Sequence, residues 1–499
     1  PHVPPPSEAS GKAGFMDKEM RQMMRKHHLP AFAVCIVQDQ NILFQDVRGF
    51  IDLEKKIPAT GHSVFKLYSV AKMFTALEIL REMEEGFVDL DAPLNTYLPD
   101  FSIQSRFPDQ GTVTVRSILA HRSGLPRNGC ISCPPDEHDP YFLEKFEKTT
   151  AECYMAFPVG FRYHYSNLGY NLLGRIVEEI REMDFASYMQ THLLHDLGME
   201  NSAFFSGDLT DPDAVSLGYE YFKRKYYPMD QSDIGNIPSG NLYSTIEDLS
   251  CFLKAYLNSE VFAREHTLKQ MYVDHFSSPE DPETMGLGWK TTKIAGDELM
   301  IWHDGGPDDG MGALVAFLPD QKLGIAMVAN STSFSSDKTV PFAMHLFDRL
   351  LEGKLHYAAQ KVQKAHWTGP EEEVLLDQEG TYIAWGMPMV VEARQNKLKG
   401  KIGGFSLDLI PVSNTEYRVS HWMDRIGLTK IIKPPIGFDQ LRIHFPESAS
   451  TVPDQLIIDL NHIAYEICPR YPAQARPGET WDHLQGDYHL AARLPGNQA

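Results

Sequence analysis

The stretch Phe65-Lys66-Leu67-Tyr68-Ser69-Val70-Ala71-Lys72-Met73-Phe74-Thr75-Ala76-Leu77 decides how the rest of this chain is read. Its apolar continuation predicts a helix over 69–85 that starts at the serine. Ser69 and Lys72 are three residues apart, close to one helical turn, so hydroxyl and amine share a face. A weak nucleophile beside a base is the minimum for covalent acyl transfer. The N–H groups at such a helix start also favour a developing oxyanion.

Spacing alone does not select this pair. Ser-x-x-Lys occurs three times, as Ser63/Lys66, Ser69/Lys72 and Ser335/Lys338, and average composition gives about two by chance. Ser63 precedes the helix and Ser335 is read as lying in a polar loop, so only Ser69 opens an apolar helix. A second element is Tyr165-Ser166-Asn167. A phenol beside an ammonium is expected to have its pKa lowered and to relay a proton, and an amide can orient both lysine and substrate. The third is Trp302-His303-Asp304-Gly305-Gly306, a strand ending in glycines that lets backbone approach a substrate closely.

Working outward, residues 15–27 read as an amphipathic helix and Ala31–Val37 with Ile42–Asp46 as a strand pair. Helical spacing covers Val115–His121, Asn167–Arg181, Ala186–Leu194 and Ile246–Leu257, the last capped by Thr245. Strands are expected at Gly286–Thr292, Leu299–His303, Gly312–Leu318 and Leu323–Ala329, with a closing helix over 339–352. Strands at both ends with helices between imply one sheet built from the two ends of residues 15–352, with a helical insertion.

After a linker at 353–370 the pattern changes. Tyr382–Trp385, Met389–Ala393, Phe405–Ile410, Tyr417–His421, Leu428–Ile432, Leu441–Phe445, Gln455–Leu460 and Ala464–Cys468 are short, alternating and evenly spaced. They predict an antiparallel barrel or sandwich over 371–480. Leu376–Tyr382 and Leu484–Tyr488 share a pattern, so 481–499 reads as an extra strand or the start of a truncated second barrel. Residues 1–14 form a separate N-terminal segment.

The chain has 499 residues, 42% hydrophobic and 23% charged, with a formal net charge of -21. Its length calls for more than one core, and the acidic balance argues against nucleic acid and anionic membrane surfaces. No apolar run reaches the roughly 18–20 residues of a membrane span. The N-terminus lacks both an initiator Met and a signal-peptide pattern, which leaves a cytoplasmic protein and one exported after leader removal both open. Six cysteines do not make a disulfide scaffold. Cys130 and Cys133 have metal-site spacing without a second Cys/His pair, so two thiols or a local disulfide are expected, and no metal or other cofactor.

Taken together, Ser69/Lys72, Tyr165-x-Asn167 and His303-x-Gly305, in this order, resemble the serine β-lactamase and penicillin-binding-protein superfamily. The resemblance is to its class C β-lactamase-like branch, with family VIII esterases and D-aminopeptidases, and covers roughly 15–352. Ile118–Pro126, Tyr165–Gly174, Gly240–Thr245 and Gly286–Trp289 are further family-like stretches. It implies Ser69 as acyl-enzyme nucleophile, Lys72 as the group that takes its proton, and Tyr165 as general base with Lys72 and then acid. It also implies Asn167 positioning substrate, His303 and Gly305 lining the site, and the N–H groups of Ser69 and Gly306 as the oxyanion hole. Where many β-lactamases carry Lys, this chain has His303, weaker toward a carboxylate near neutral pH and similar to esterases and D-peptidases. Asp304, acidic where relatives are neutral, is expected to repel anions or attract an amine. The C-terminal region resembles lipocalin-like barrels appended to some D-aminopeptidases, which restrict a site or mediate assembly.

These readings amount to an α+β fold: an antiparallel sheet flanked by helices with a helical insertion, plus an all-β antiparallel barrel. The function expected is a serine hydrolase cleaving esters or amides of small molecules or short, including D-configured, peptides. An acyltransferase, a β-lactamase and a catalytically inactive ligand-binding protein stand as alternatives, and a homo-oligomer is left open. The pocket walls fall to loops 127–150 and 205–238.

Overall fold

The computed structural model describes residues 6–351 except 106, 108, 130–140, 230, 232, 259–263, 277–284, 295–297 and 307–309. Beyond these it describes residues 370, 372–384, 387–394, 397–402, 405–411, 416–420, 441–445, 455–460 and 464–469. The linker at 353–370 (save Pro370), the expected strand Leu428–Ile432 and the segment 481–499 lie outside the described residues, as do Cys130 and Cys133.

Helix α1 (Pro6–His27) leads into β1 (Ala31–Gln38), β2 (Asn41–Asp52), β3 (Ile57–Pro58) and β4 (Phe65–Tyr68). Next come α2 (Ala71–Glu84), α3 (Val115–Leu119), α4 (Phe142–Thr149), α5 (Asn167–Arg181) and α6 (Phe185–Tyr188). The hairpin β5 (Gly218–Phe222)–β6 (Lys225–Met229), α7 (Ile237–Gly240), β7 (Leu242–Ser244), α8 (Ile246–Leu257) and α9 (Glu265–Gln270) follow. Then β8 (Lys290–Lys293), β9 (Leu299–Gly305), β10 (Gly312–Leu318), β11 (Leu323–Ala329) and α10 (Ser336–Leu350) complete this part.

One antiparallel sheet has the order β3-β2-β1-β11-β10-β9-β8. β1 pairs with β11, with Phe32 opposite Ala329 and Gln38 opposite Leu323, so the two ends of this part share one sheet as expected. β1 is buried on both faces, which is why it reads as a continuous apolar run. Period-two alternation divides it. Ala31, Ala33, Cys35 and Val37 join the core under α2, α5 and α8. Phe32, Val34 and Ile36 face the other way, against Met16, Met20 and Met23 of α1 and Ala343, Leu346 and Phe347 of α10.

The inserted helices follow local rules. In α5, Leu168, Leu172, Leu173, Ile176 and Val177 are buried on one stripe. Its first turn is capped by Ser166, whose Oγ accepts the Gly169 N–H at 2.9 Å, a device that contributes about 1 kcal/mol. Thr245 caps α8 in the same way, accepting the Asp248 N–H at 3.0 Å. The strand expected over Gly286–Thr292 begins only at Lys290. Gly288 has φ +84°, and a Cβ there would lie 2.4 Å from the Ala76 methyl, so this segment is a turn pressed onto α2.

The C-terminal part is an antiparallel meander of eight strands: β12 (Gly380–Ala384), β13 (Met387–Ala393), β14 (Leu398–Ile402), β15 (Phe405–Pro411), β16 (Glu416–Ser420), β17 (Leu441–His444), β18 (Gln455–Leu460) and β19 (Ala464–Pro469). Tyr382, Met389, Val391, Leu398, Leu409, Tyr417 and Ile443 are among its buried side chains. β12 and β19 pass near one another. Among the described residues no ladder joins them, so the expected closed barrel is described as an open sheet. β14 is a strand the sequence reading missed. Leu398-Lys399-Gly400-Lys401-Ile402 alternates buried and exposed, but its lysines and central glycine hide the pattern. A Cβ on Gly400 would lie 2.8 Å from the Met389 methyl.

Candidate active site

The turn between β4 and α2 builds the site. Tyr68 adopts φ +48°, a region that costs a non-glycine residue on the order of 1–3 kcal/mol, and its hydroxyl donates to Gln231 Oε1 at 3.1 Å. Ser69 and Val70 form a tight turn, and the α-helix starts at Ala71, two residues later than expected. The Ser69 N–H makes no hydrogen bond among the described residues, which leaves it available to an oxyanion.

Ser69 Oγ lies 2.7 Å from Tyr165 Oη, which donates to it, and 3.2 Å from Lys72 Nζ. Lys72 is fully buried, with Nζ 2.5 Å from the Ser239 carbonyl and 4.6 Å from the centre of the Tyr165 ring. Burial first, and then the positive charge of Arg127, hold its pKa well below the usual lysine value. A neutral amine so placed can donate to Ser239 O while its lone pair faces the Ser69 hydroxyl. Tyr165 departs from expectation. Burial outweighs the cations and pushes its phenol up to about 12, so it is a neutral donor to Ser69 rather than an acidified phenol.

The Tyr-Ser-Asn triplet is positioned by helix α5: Ser166 is its cap, Tyr165 precedes the cap and Asn167 is the first helical residue. Asn167 does not reach Lys72. Its amide donates to Asn128 Oδ1 at 2.8 Å at the exposed edge of the site, and its N–H donates to the Arg127 carbonyl at 2.7 Å. The lysine is held by Ser239 O instead, and Thr75 Oγ1 donates to Pro238 O at 2.6 Å, fixing α7 against α2.

β9 supplies the third element. A Cβ on Gly305 would fall 1.9 Å from the Leu67 carbonyl oxygen and 3.2 Å from the Ser69 nitrogen, so glycine here lets the strand touch the turn that carries Ser69. Gly306 has φ +73° and sits against the Met311 carbonyl. His303 is buried, with Nδ1 2.7 Å from the Asp304 carbonyl. Desolvation pushes its pKa down to about 3, so it brings no cation to the site. Asp304 points to the sheet's opposite face, with Trp302, by strand alternation. Burial pushes its carboxyl up, but Lys290, 3.2 Å away, and His303 hold it below the usual range. Its charge is paired with Lys290 within the sheet, while its field still reaches Lys72 and Tyr165.

The other two Ser-x-x-Lys pairs differ in surroundings rather than spacing. Ser63 Oγ accepts the Thr60 N–H at 2.9 Å, and Lys66 packs 5.3 Å from the ring centres of both Tyr68 and Tyr243. Ser335 and Lys338 do meet, at 2.9 Å, and Ser335 sits at the start of α10 rather than in a loop. That pair is half-buried, unlike Lys72.

Sequence reasoning assigned no role to His121 or Arg127. His121 Nδ1 accepts the Ser166 N–H at 3.1 Å, and its ring lies 4.4 Å from that of Tyr165. Burial and the field of Lys72 hold it well below the usual histidine pKa. Arg127 Cζ sits 5.0 Å over the Tyr165 ring. His121 lies within the family-like run 118–126 and Arg127 directly follows it, which was the available signal. Cys153 is disulfide-bonded, whereas Cys35 and Cys251 are free. No group of three or more metal-ligating side chains occurs among the described residues, nor a helix long and apolar enough to cross a membrane.

A family model described as Beta-lactamase matches residues 16–347. Protein flp of Staphylococcus aureus (strain MW2) is 24% identical over 322 residues, 64% of this chain and 63% of that protein. Beta-lactamase-like protein 2 of Dictyostelium discoideum is 25% identical over 320 residues, 62% of this chain and 58% of that protein. The chain thus spans about three fifths of the length of these curated relatives. Among solved structures, SurE aligns with TM-score 0.66 at 21% identity, over 93% of this chain and 100% of SurE. The octameric penicillin-binding protein homologue from Pyrococcus abyssi aligns at 0.59 and 19%, over 91% and 99%. A class C beta-lactamase aligns at 0.58 and 22%, over 70% and 99%. At these identities the structures speak for the fold alone.

Proposed function

Because this chain belongs to the beta-lactamase family, we propose that it is a serine hydrolase that forms an acyl-enzyme on Ser69. One observation carries the reading: a single hydroxyl, Ser69 Oγ, is contacted both by Tyr165 Oη at 2.7 Å and by the buried Lys72 Nζ at 3.2 Å. Neutral Lys72 takes the hydroxyl proton as Oγ bonds to the acyl carbon. The negative charge moves to the former carbonyl oxygen, faced by the N–H groups of Ser69 and Gly306. As the bond to the leaving group breaks, Tyr165 gives that group its proton, and Lys72, now an ammonium, steadies the phenolate. Water then enters by the reverse route: the Tyr165 phenolate takes its proton, and the Lys72 ammonium returns a proton to Ser69 Oγ as the acid is released. Asn167, paired with Asn128 at the edge, positions substrate there.

The substrate class we favour is esters or amides of small molecules or short peptides, including D-configured ones. Neutral His303 supports this over a β-lactamase whose strand cation holds a carboxylate. The similarity in fold to SurE, one of whose structures contains D-Leu, is consistent with it. We also propose that the C-terminal meander closes as a lipocalin-like barrel, since β12 and β19 pass close to each other. A homo-oligomer fits the fold likeness to an octameric homologue.

The test is labelling with a fluorophosphonate and location of the adduct by mass spectrometry. Adduct on Ser69 with turnover of p-nitrophenyl acetate is expected. No adduct and no turnover together sink the hydrolase reading. D-aminoacyl anilides, p-nitrophenyl esters and nitrocefin then rank substrates, with nitrocefin expected last.

A further inference from the structure

Every other cation near the nucleophile is silenced. Lys72 is buried with its pKa held well below the usual lysine value, His303 is pushed down to about 3, and Lys290 is paired with Asp304 at 3.2 Å. Arg127 is different. Arg48, Arg81, Arg116, Arg175 and Arg181 each meet a carboxylate within 4 Å. The Arg127 guanidinium meets none among the described residues, and its recorded contact is with the face of the Tyr165 ring at 5.0 Å. Arg25, Arg224, Arg264 and Arg349 also meet no carboxylate among the described residues, but Arg127 is the one that stands over the Tyr165 ring beside Ser69.

Its placement is fixed. The Arg127 carbonyl accepts the N–H groups of Asn167 at 2.7 Å and Leu168 at 3.1 Å. The preceding Pro126 carbonyl accepts the Ser166 hydroxyl at 2.7 Å. The backbone of Arg127 is therefore tied to the start of the helix that presents Tyr165, and its side chain lies one phenol ring away from Ser69 Oγ. Stacking on an aromatic face leaves the edge of a guanidinium and its N–H donors free for a planar, bidentate acceptor.

We propose that Arg127 is the substrate-anion subsite of this enzyme: the site takes an ester or amide carrying a carboxylate, held on the Tyr165 side rather than by the strand of His303. The inference rests on the hydrolase reading and deepens it. It also supplies what a chain of net charge -21 needs to accept an anionic substrate, a local cation within the Debye length of the reacting bond.

Mono-p-nitrophenyl succinate, glutarate and adipate place the anion on the acyl side, and p-nitrophenyl butyrate, valerate and hexanoate are the matching neutral esters. 3-Carboxyphenyl acetate against phenyl acetate places it on the leaving group. The readout is the ratio of kcat/KM for anionic over neutral substrate, so general effects on Tyr165 cancel. The wild-type ratio is expected to exceed one in one of the two series, to fall at least tenfold in Arg127→Gln through KM, to be partly restored in Arg127→Lys, and to fall below one in Arg127→Glu. A ratio at or below one in both series for the wild type, or one that Arg127→Gln leaves unchanged, overturns the subsite. Fluorophosphonate labelling of Ser69 in every variant separates this from failure of the hydrolase reading: a labelled enzyme with no anion preference refutes Arg127 alone, and an unlabelled wild type refutes both.

Discussion

Gly305→Ala tests whether the glycine strand and the nucleophile's turn are in contact. The added Cβ would sit 1.9 Å from the Leu67 carbonyl oxygen, where ordinary contact begins near 3.4 Å, so one of them has to move by about 1.5 Å. Gly305 is anchored opposite Ala313 in the sheet, whereas the Leu67 carbonyl accepts the Val70 N–H at 3.2 Å within the turn that carries Ser69. The displacement therefore passes into the turn. Overpacking of this kind costs roughly 1–3 kcal/mol, and misplacing a reacting group by about 1 Å costs about 100-fold in rate. We expect Gly305→Ala to fold with a melting temperature lowered by a few degrees, about 2 °C or less per kcal/mol for a domain of this size. Its kcat/KM on p-nitrophenyl acetate and its labelling rate by fluorophosphonate should fall about 100-fold. Gly14→Ala is the control: nothing lies within 4 Å of its Cβ, and replacing a helical glycine stabilises by up to about 1 kcal/mol. Wild-type labelling and melting in Gly305→Ala would refute the contact.

Lys72→Met should lower kcat/KM at least about 100-fold while leaving the melting temperature equal or higher, because it removes a buried amine whose charging is opposed by desolvation; a variant that melts early and keeps activity contradicts the assignment. Lys72 acts as base only when neutral, so kcat/KM on a neutral ester should fall as pH drops through its lowered pKa. Arg127→Gln removes a positive neighbour that depresses that pKa, so the acid limb should move to higher pH, and a limb that stays put argues against the coupling. Glu78, buried on α2 and hydrogen-bonded to Tyr188 at 2.8 Å, has its carboxyl pushed up to about 7, chiefly by burial. Between its ordinary value of 4.5 and about 7 the folded state binds the extra proton, so this group's contribution is full at low pH and lost as pH rises through that window. The loss is about 3 kcal/mol, and Glu78→Gln should flatten the slope of denaturation free energy against pH there; an unchanged slope refutes it. Ser166→Ala should cost about 1 kcal/mol as a lost helix cap and slow Ser69 labelling, since the cap sets where Tyr165 stands; destabilisation with wild-type labelling would show that the cap does not position the phenol.

Several elements could be placed from sequence because they obey local rules. α5 and α8 begin where Ser166 and Thr245 cap them, and β10 and β11 are apolar runs of strand length. β14 was missed because glycine and two lysines hid an alternation that becomes visible only once Leu398 and Ile402 have a core to enter. The helix at Ser69 starts two residues late because Tyr68 is held at positive φ by tertiary contacts, which no propensity records.

The site divides in the same way. Sequence by itself picked out the groups proposed to carry the chemistry: Ser69 with Lys72, Tyr165 beside its cap, and the glycines that end β9. These depend on side-chain type and on spacing within one turn. Tertiary structure decided their charge and their company. Burial lowered the pKa of Lys72 and of His303 and raised that of Tyr165, against the expectation of an acidified phenol. Strand alternation turned Asp304 away toward Lys290, and the Ser239 carbonyl, 167 positions from Lys72 in sequence, took the place expected of Asn167. Protonation states and partners depend on the dielectric and on distances across elements, and those exist only after α2, α5, α7 and β9 have packed.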